Sequence, residues 1–194
     1  MKARARSAAL TLALAAVAAA LIAAAVLIVG REDRAEQARK DAAERLFPFA
    51  PAEVEEVALA SERGEVAVAR AGQGWRVLRP VPGPADDGAV DLLVERLATL
   101  RRKAEVAPGA EADAAPARFG LDHPFLTVTA RLRGGRTETL AVGRENGFDG
   151  SHFARVAKGP VVLIAPSDRH LLDRSPEELA AKRPVPAPTP PSHQ

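Results

Sequence analysis

The sequence predicts an α+β protein: an N-terminal transmembrane helix, then one domain of antiparallel β-meanders and hairpins packed with one main amphipathic helix. Three patterns carry this reading. An uncharged run fills residues 7–30. From Val54 onward, short Val- and Thr-rich stretches are punctuated by Gly and Pro, as in sheets built from hairpins. Between Val90 and Leu100, apolar residues recur at helical spacing.

Lys2, Arg4 and Arg6 precede the uncharged run. As a helix, Ala8 to Val29 would reach roughly 33 Å, enough to cross a hydrocarbon core of about 30 Å. Residues 1–30 are therefore expected to be a membrane anchor or an uncleaved signal. The A-x-A patterns at Ala18–Ala20 and Ala23–Ala25 carry the cleaved-signal alternative. Basic residues before the run predict N-in, C-out insertion in the inner (cytoplasmic) membrane, with the C-terminal domain periplasmic.

Residues 31–50 read as a charged helical stalk ending at the helix-stopping "FPFAP", and residues 51–183 as the extracytoplasmic domain. That domain opens with three strands, "VEEVALA", "VAVARA" and "WRVLRP", joined by turns at "SERGE" and "GQG". Trp75, the only tryptophan, is expected to pack on the core face, with ligand stacking as its functional alternative.

Pro80, Pro82 and Pro84 end the third strand, and Asp86 or Asp87 caps a helix. Val90, Leu93, Val94, Leu97 and Leu100 share one face of that helix. Residues 107–117 read as a loop of small residues. Leu126, Val128, Ala130 and Leu132 alternate with Thr127, Thr129, Arg131 and Arg133, as in a half-exposed strand. Gly134 and Gly135 turn the chain into "RTETLAVG", and "SHFARVA" and "PVVLIAP" form a hairpin across Lys158 and Gly159. Ser175, Pro176 and Glu178 make a capping box for a last helical piece, and residues 184–194 form a proline-rich disordered tail.

Composition narrows the function classes. The chain of 194 residues has no cysteine, which excludes disulfides, thiolate metal sites and a lipidated cysteine. Three of its 27 basic residues precede the apolar run, leaving 24 against 25 acidic ones, so a nucleic-acid partner is not expected.

The four histidines, at 123, 152, 170 and 193, have no metal-ligand spacing. Asp149, Ser151 and His152 lie close in sequence. Neighbours on a strand point to opposite faces, however, so they are not expected to form a triad. Gly143, Gly147 and Gly150 lack the Lys-Ser/Thr of a phosphate loop and read as a hairpin loop. No catalytic residue, metal or cofactor is expected. The ligand or partner candidates are Trp75, Asp122, Asp149 and His152, with Phe119, Gly120, Leu121, Asp122 and Pro124 as a structural turn.

Taken in order, "GWRVLRPVPGPADDGAVDLLVERLATLR", "RFGLDHPFLTVTAR", "LAVGRENGFDGSHFARV" and "LLDRSPEELAAKR" resemble the domain-of-unknown-function family numbered 4340 over roughly Val54 to Arg183. The resemblance implies a membrane-anchored extracytoplasmic protein associated with ABC-type export systems similar to gliding-motility auxiliary components. It brings no catalytic residues. Many relatives continue into a second unit where this chain has its proline tail. The function expected is a non-enzymatic accessory or scaffold domain whose partner is a protein such as an ABC transporter permease. The alternative is a binding module for an envelope glycan or lipid, using Trp75 and the Gly143–Gly150 loop, with a hydrolase third.

Overall fold

Strands β1 (Val54–Ser61), β2 (Gly64–Ala71), β3 (Gly74–Arg79), β4 (Gly83–Pro84), β5 (Ala104–Ala107), β6 (Leu126–Leu132), β7 (Thr137–Glu145), β8 (His152–Val156) and β9 (Val161–Ile164) form one antiparallel sheet. Its order is β4-β3-β2-β1-β6-β7-β8-β9-β5. The protein is α+β, a mostly antiparallel sheet with a few helices. The structure, a computed structural model, describes residues 41–181. The expected anchor at 1–30 and the tail at 184–194 lie outside the described residues. Among the described residues no helix is long and apolar enough to cross a membrane.

The chain divides into two units after Glu44; residues 41–44 of the first are helical. The packed domain begins at Arg45 rather than at residue 51. Phe47 and Phe49 are buried in its core, and the Leu46 amide donates to the Leu100 carbonyl at 2.9 Å. Two aromatic side chains in "FPFAP" therefore do core work that a stalk would not require.

The expected strands and turns form because alternation dictates which face each residue takes. Val57 and Leu59 on β1 stand beside Val68 and Val66 on β2, and beside Ala130 and Val128 on β6. The same row continues through Leu140, Val142, Ala154 and Val162, all buried. Two meanders were expected without an order between them; the β1–β6 pairing joins them into a single sheet.

Helix α1 (Asp87–Thr99) covers this apolar row. Asp86 caps it by accepting from the Ala89 amide at 3.0 Å, while Asp87 accepts from the Trp75 amide at 2.6 Å and ties helix to strand. Val90, Leu93, Val94, Leu97 and Leu100 are all buried.

Besides the short β4, which pairs with β3 where the prolines were expected only to end a strand, three stretches differ from the sequence reading. Residues 107–117 are not a plain loop: they contain α2 (Gly109–Ala114) and the start of a 3-10 turn at Pro116–Phe119. Ala112 and Phe119 join Ala107 and Val161 in a second, smaller core, with Phe153 packed against it. Phe153 alternates with buried His152 and Ala154, so this core lies on the opposite face of the sheet. Strand β5 was not foreseen; it adds to the far edge along β9. Helix α3 (Pro166–Leu172) was also unforeseen, and it packs on α1 together with α4 (Pro176–Leu179). The capping box at α4 is present, with the Ser175 amide donating to Glu178 at 2.8 Å.

Candidate functional site

The loop joining β7 to β8 holds Asp149 and Ser151, and His152 opens β8 directly after it. Its backbone is closed by the Asn146 amide on the Ser151 carbonyl at 2.6 Å and the Gly150 amide on the Asn146 carbonyl at 3.1 Å. Asn146 Oδ1 accepts from the Phe148 amide at 3.3 Å, and its Nδ2 donates to Asp149 Oδ1 at 3.2 Å. Such Asn and Asp side chains mimic backbone turns and hold the loop in one form.

At its centre is a triangle of Lys103, Asp149 and Ser151. Lys103 Nζ lies 2.9 Å from both Asp149 Oδ2 and Ser151 Oγ, and Ser151 Oγ donates to Asp149 Oδ2 at 2.9 Å. The hydrogen bond from Lys103, reinforced by the Ser151 amide and hydroxyl, lowers the Asp149 pKa to about 2. A hydroxyl beside a lysine is the raw material of a nucleophile and its base. Here the ammonium is engaged by a carboxylate and Ser151 is 0% exposed, so a substrate has no approach to the oxygen.

His152 points away from this triangle. Its ring lies 5.4 Å from Phe125, over which Arg169 Cζ stacks at 4.4 Å. Burial lowers its pKa, and nearby Arg169 pushes the same way against a hydrogen bond with the Gly143 backbone. His152 Nδ1, Arg169 Nε and Asp173 Oδ1 are buried and lack partners. Opposed faces on adjacent strand residues thus separate Ser151 from His152, as the alternation argument expects.

The remaining candidates lie elsewhere. Trp75 is 5% exposed, with its indole N–H donating to Asp91 at 2.8 Å and Arg70 stacked 4.4 Å from the ring. Trp75 therefore packs in the core as expected, and the ligand-stacking alternative finds its ring buried and already stacked by Arg70. Asp122 is exposed in the turn before β6 and does not join Asp149. Among the described residues no group of three or more His, Asp or Glu is placed to hold a metal ion.

Sequence reasoning missed Lys103. It stands 46 residues before Asp149 and is brought there by the unforeseen β5, next to which its amide donates to the Leu163 carbonyl at 2.8 Å. No local pattern marks it among its arginine neighbours.

The Asp149 pKa makes the triangle testable by pH. Because the folded pKa lies below the ordinary aspartate value of 3.8, the unfolded chain binds more protons between the two values. The contribution is full above the unfolded pKa and is lost as pH falls toward about 2. Urea unfolding at about pH 5 and about pH 2.5 should show a larger acid loss for the parent than for Asp149→Asn. Equal losses would mean that Asp149 is not held by Lys103.

A family model, Domain of unknown function (DUF4340), matches residues 75–190, more than half of the chain. No curated protein and no solved structure matches it.

Proposed function

Since the chain belongs to the DUF4340 family, we propose that it is a membrane-anchored, extracytoplasmic accessory or scaffold domain, non-enzymatic, that works with an ABC-type export or envelope-assembly system. The observation that carries the non-enzymatic part is the state of Ser151. The Ser151 hydroxyl, 2.9 Å from the Lys103 ammonium, is enclosed and spent on cross-linking the β7–β8 loop to the segment before β5. Polar side chains used in this way hold a surface in shape and leave recognition to what the surface presents. The anchor and its orientation rest on the apolar run and the basic residues before it.

The test is chemical cross-linking of the full chain in its native membrane, followed by purification and identification of what is attached. A transporter permease recovered with the parent chain is the expected result. Recovery of the chain without any transporter component would overturn the accessory role. Ser151→Ala should leave partner recovery intact once Trp75 emission shows that the variant is folded; its loss in a folded variant would instead point to chemistry at Ser151.

A further inference from the structure

Three buried side-chain atoms have no hydrogen-bond partner: His152 Nδ1, Arg169 Nε and Asp173 Oδ1. Buried polar groups are normally paired, and each exception calls for a reason. The three side chains belong to one line of contacts. Arg169 Nη2 lies 3.7 Å from Asp173 Oδ2, Arg169 Cζ stacks 4.4 Å from the Phe125 ring, and that ring lies 5.4 Å from His152. Asp173 is 7% exposed and His152 8%. A buried acid, a cation and a titratable ring thus join α3 to the start of β8.

His152 is held neutral in this setting. Because Nδ1 is unpartnered, the hydrogen bond with the Gly143 backbone is made at Nε2, leaving a bare lone pair on Nδ1. A second proton would have to go on Nδ1, where it meets no acceptor. Burial lowers the pKa below the ordinary histidine value of 6.5, as do Arg169 and His170 on α3, against the Gly143 bond and Glu145 across the β7–β8 pair. His170 and Glu145 are exposed, and solvent weakens both; Arg169 is the cation fixed to the same aromatic ring. Asp173 is committed to Arg169 through Oδ2.

Helix α3 is the part of the fold that a charge here would move. At seven residues it is shorter than the about 12–15 that an isolated helix needs, so it depends on tertiary contacts. These are Leu172, buried in the main core, and the line through Arg169 and Phe125 to His152. Asp173, its C-cap, also offers its carbonyl to Arg63 Nη1 at 2.7 Å. Strand β6, which follows Phe125, is by contrast paired on both sides, with β1 and β7.

We propose that His152 is the catch of an acid-released latch: the neutral imidazole lets Phe125 and Arg169 seat α3 on the end of the sheet, and a solvent proton on Nδ1 unseats it. The added positive charge stands in a buried site that already holds the Arg169 guanidinium, and opening α3 gives both cations access to water. The released ring titrates near 6.5, above its value under the latch, so the released state binds more protons once the pH falls below 6.5. The latch is complete above that pH and is lost as the pH falls toward the lower value of the seated ring.

The test is hydrogen exchange of the full-length protein in detergent micelles, corrected for the intrinsic pH dependence of exchange. Between about pH 7.5 and about pH 5, protection of residues 166–173 should fall at least about threefold in the parent while β6 keeps its protection. His152→Gln, which cannot ionise and retains an N–H for Gly143, should abolish that fall; His170→Gln should leave it in place. A fall that persists in folded His152→Gln, disappears in His170→Gln or is equal in β6 would overturn the proposal, as would constant protection of α3 in the parent. Trp75 emission checks the fold of each variant. If His152→Gln does not fold, the parent decides by where the fall begins: onset near pH 6.5 supports the latch, and onset only below about pH 5, in the carboxylate range, overturns it.

Discussion

Replacing Gly143 with alanine is expected to destabilise the domain by about 3 kcal/mol, the upper part of the range for overpacking a close-packed site. A Cβ on Gly143 would stand 2.2 Å from the Phe119 carbonyl oxygen and 2.9 Å from that of Gly120. A Cβ on Gly120 would stand 2.7 Å from the Arg144 nitrogen, and Gly120 has a φ of +69°. The two glycines face one another where the segment leaving the 3-10 turn crosses the end of β7. Both obstacles are backbone, which cannot swing aside as a side chain would. The crossing also places Phe119 in the second core and Gly143 beside His152, so strain there reaches both faces of the sheet.

Gly147→Ala is the control, since nothing lies within 4 Å of its added Cβ. Its cost should stay within about 0.5 kcal/mol, as for surface changes generally. Urea unfolding followed through the single tryptophan reads both variants. Equal midpoints for Gly143→Ala and Gly147→Ala would show that the backbones do not cross as described. Gly120 and Gly143 share the contact, so the loss in the double variant should be smaller than the sum of the single losses.

The second large effect concerns the core helix. Leu93→Ala is expected to cost about 3 kcal/mol, because a buried leucine loses both its transfer free energy and the packing of the void left behind. Leu93 is 1% exposed within the main core, while its neighbour Leu92 is 44% exposed. Leu92→Ala should therefore cost less than about 1 kcal/mol. The same denaturation assay compares them, and similar losses at the two positions would mean that α1 is rotated from the face described.

How far each element could be read from sequence follows its range of interaction. The 3.6-residue spacing of Val90, Leu93, Val94 and Leu97 and the carboxylate of Asp86 act within a few residues. Alternation in β6 and the capping box at Ser175 are equally local. The separation of Ser151 from His152 also followed from strand geometry alone. By contrast, "FPFAP" carries a helix-stopping signal and two core aromatics, and only packing reveals the second role. The alanine-rich stretch after β5 has no amphipathic stripe of its own. It becomes helical because Ala112 and Phe119 are covered by Val161 and Phe153.

The sequence by itself determined strands β1–β3 and β6–β9, helix α1 with its Asp86 cap, the α4 capping box and the membership of the family, because each depends on neighbours along the chain or on an ordered set of short motifs. Tertiary structure alone decided that β6 lies beside β1, that β5 closes the far edge, and that Lys103 meets Asp149 and Ser151. These contacts join residues far apart in the chain. Alternation tells a strand which face to bury, but the choice of neighbour depends on where every other buried face has gone.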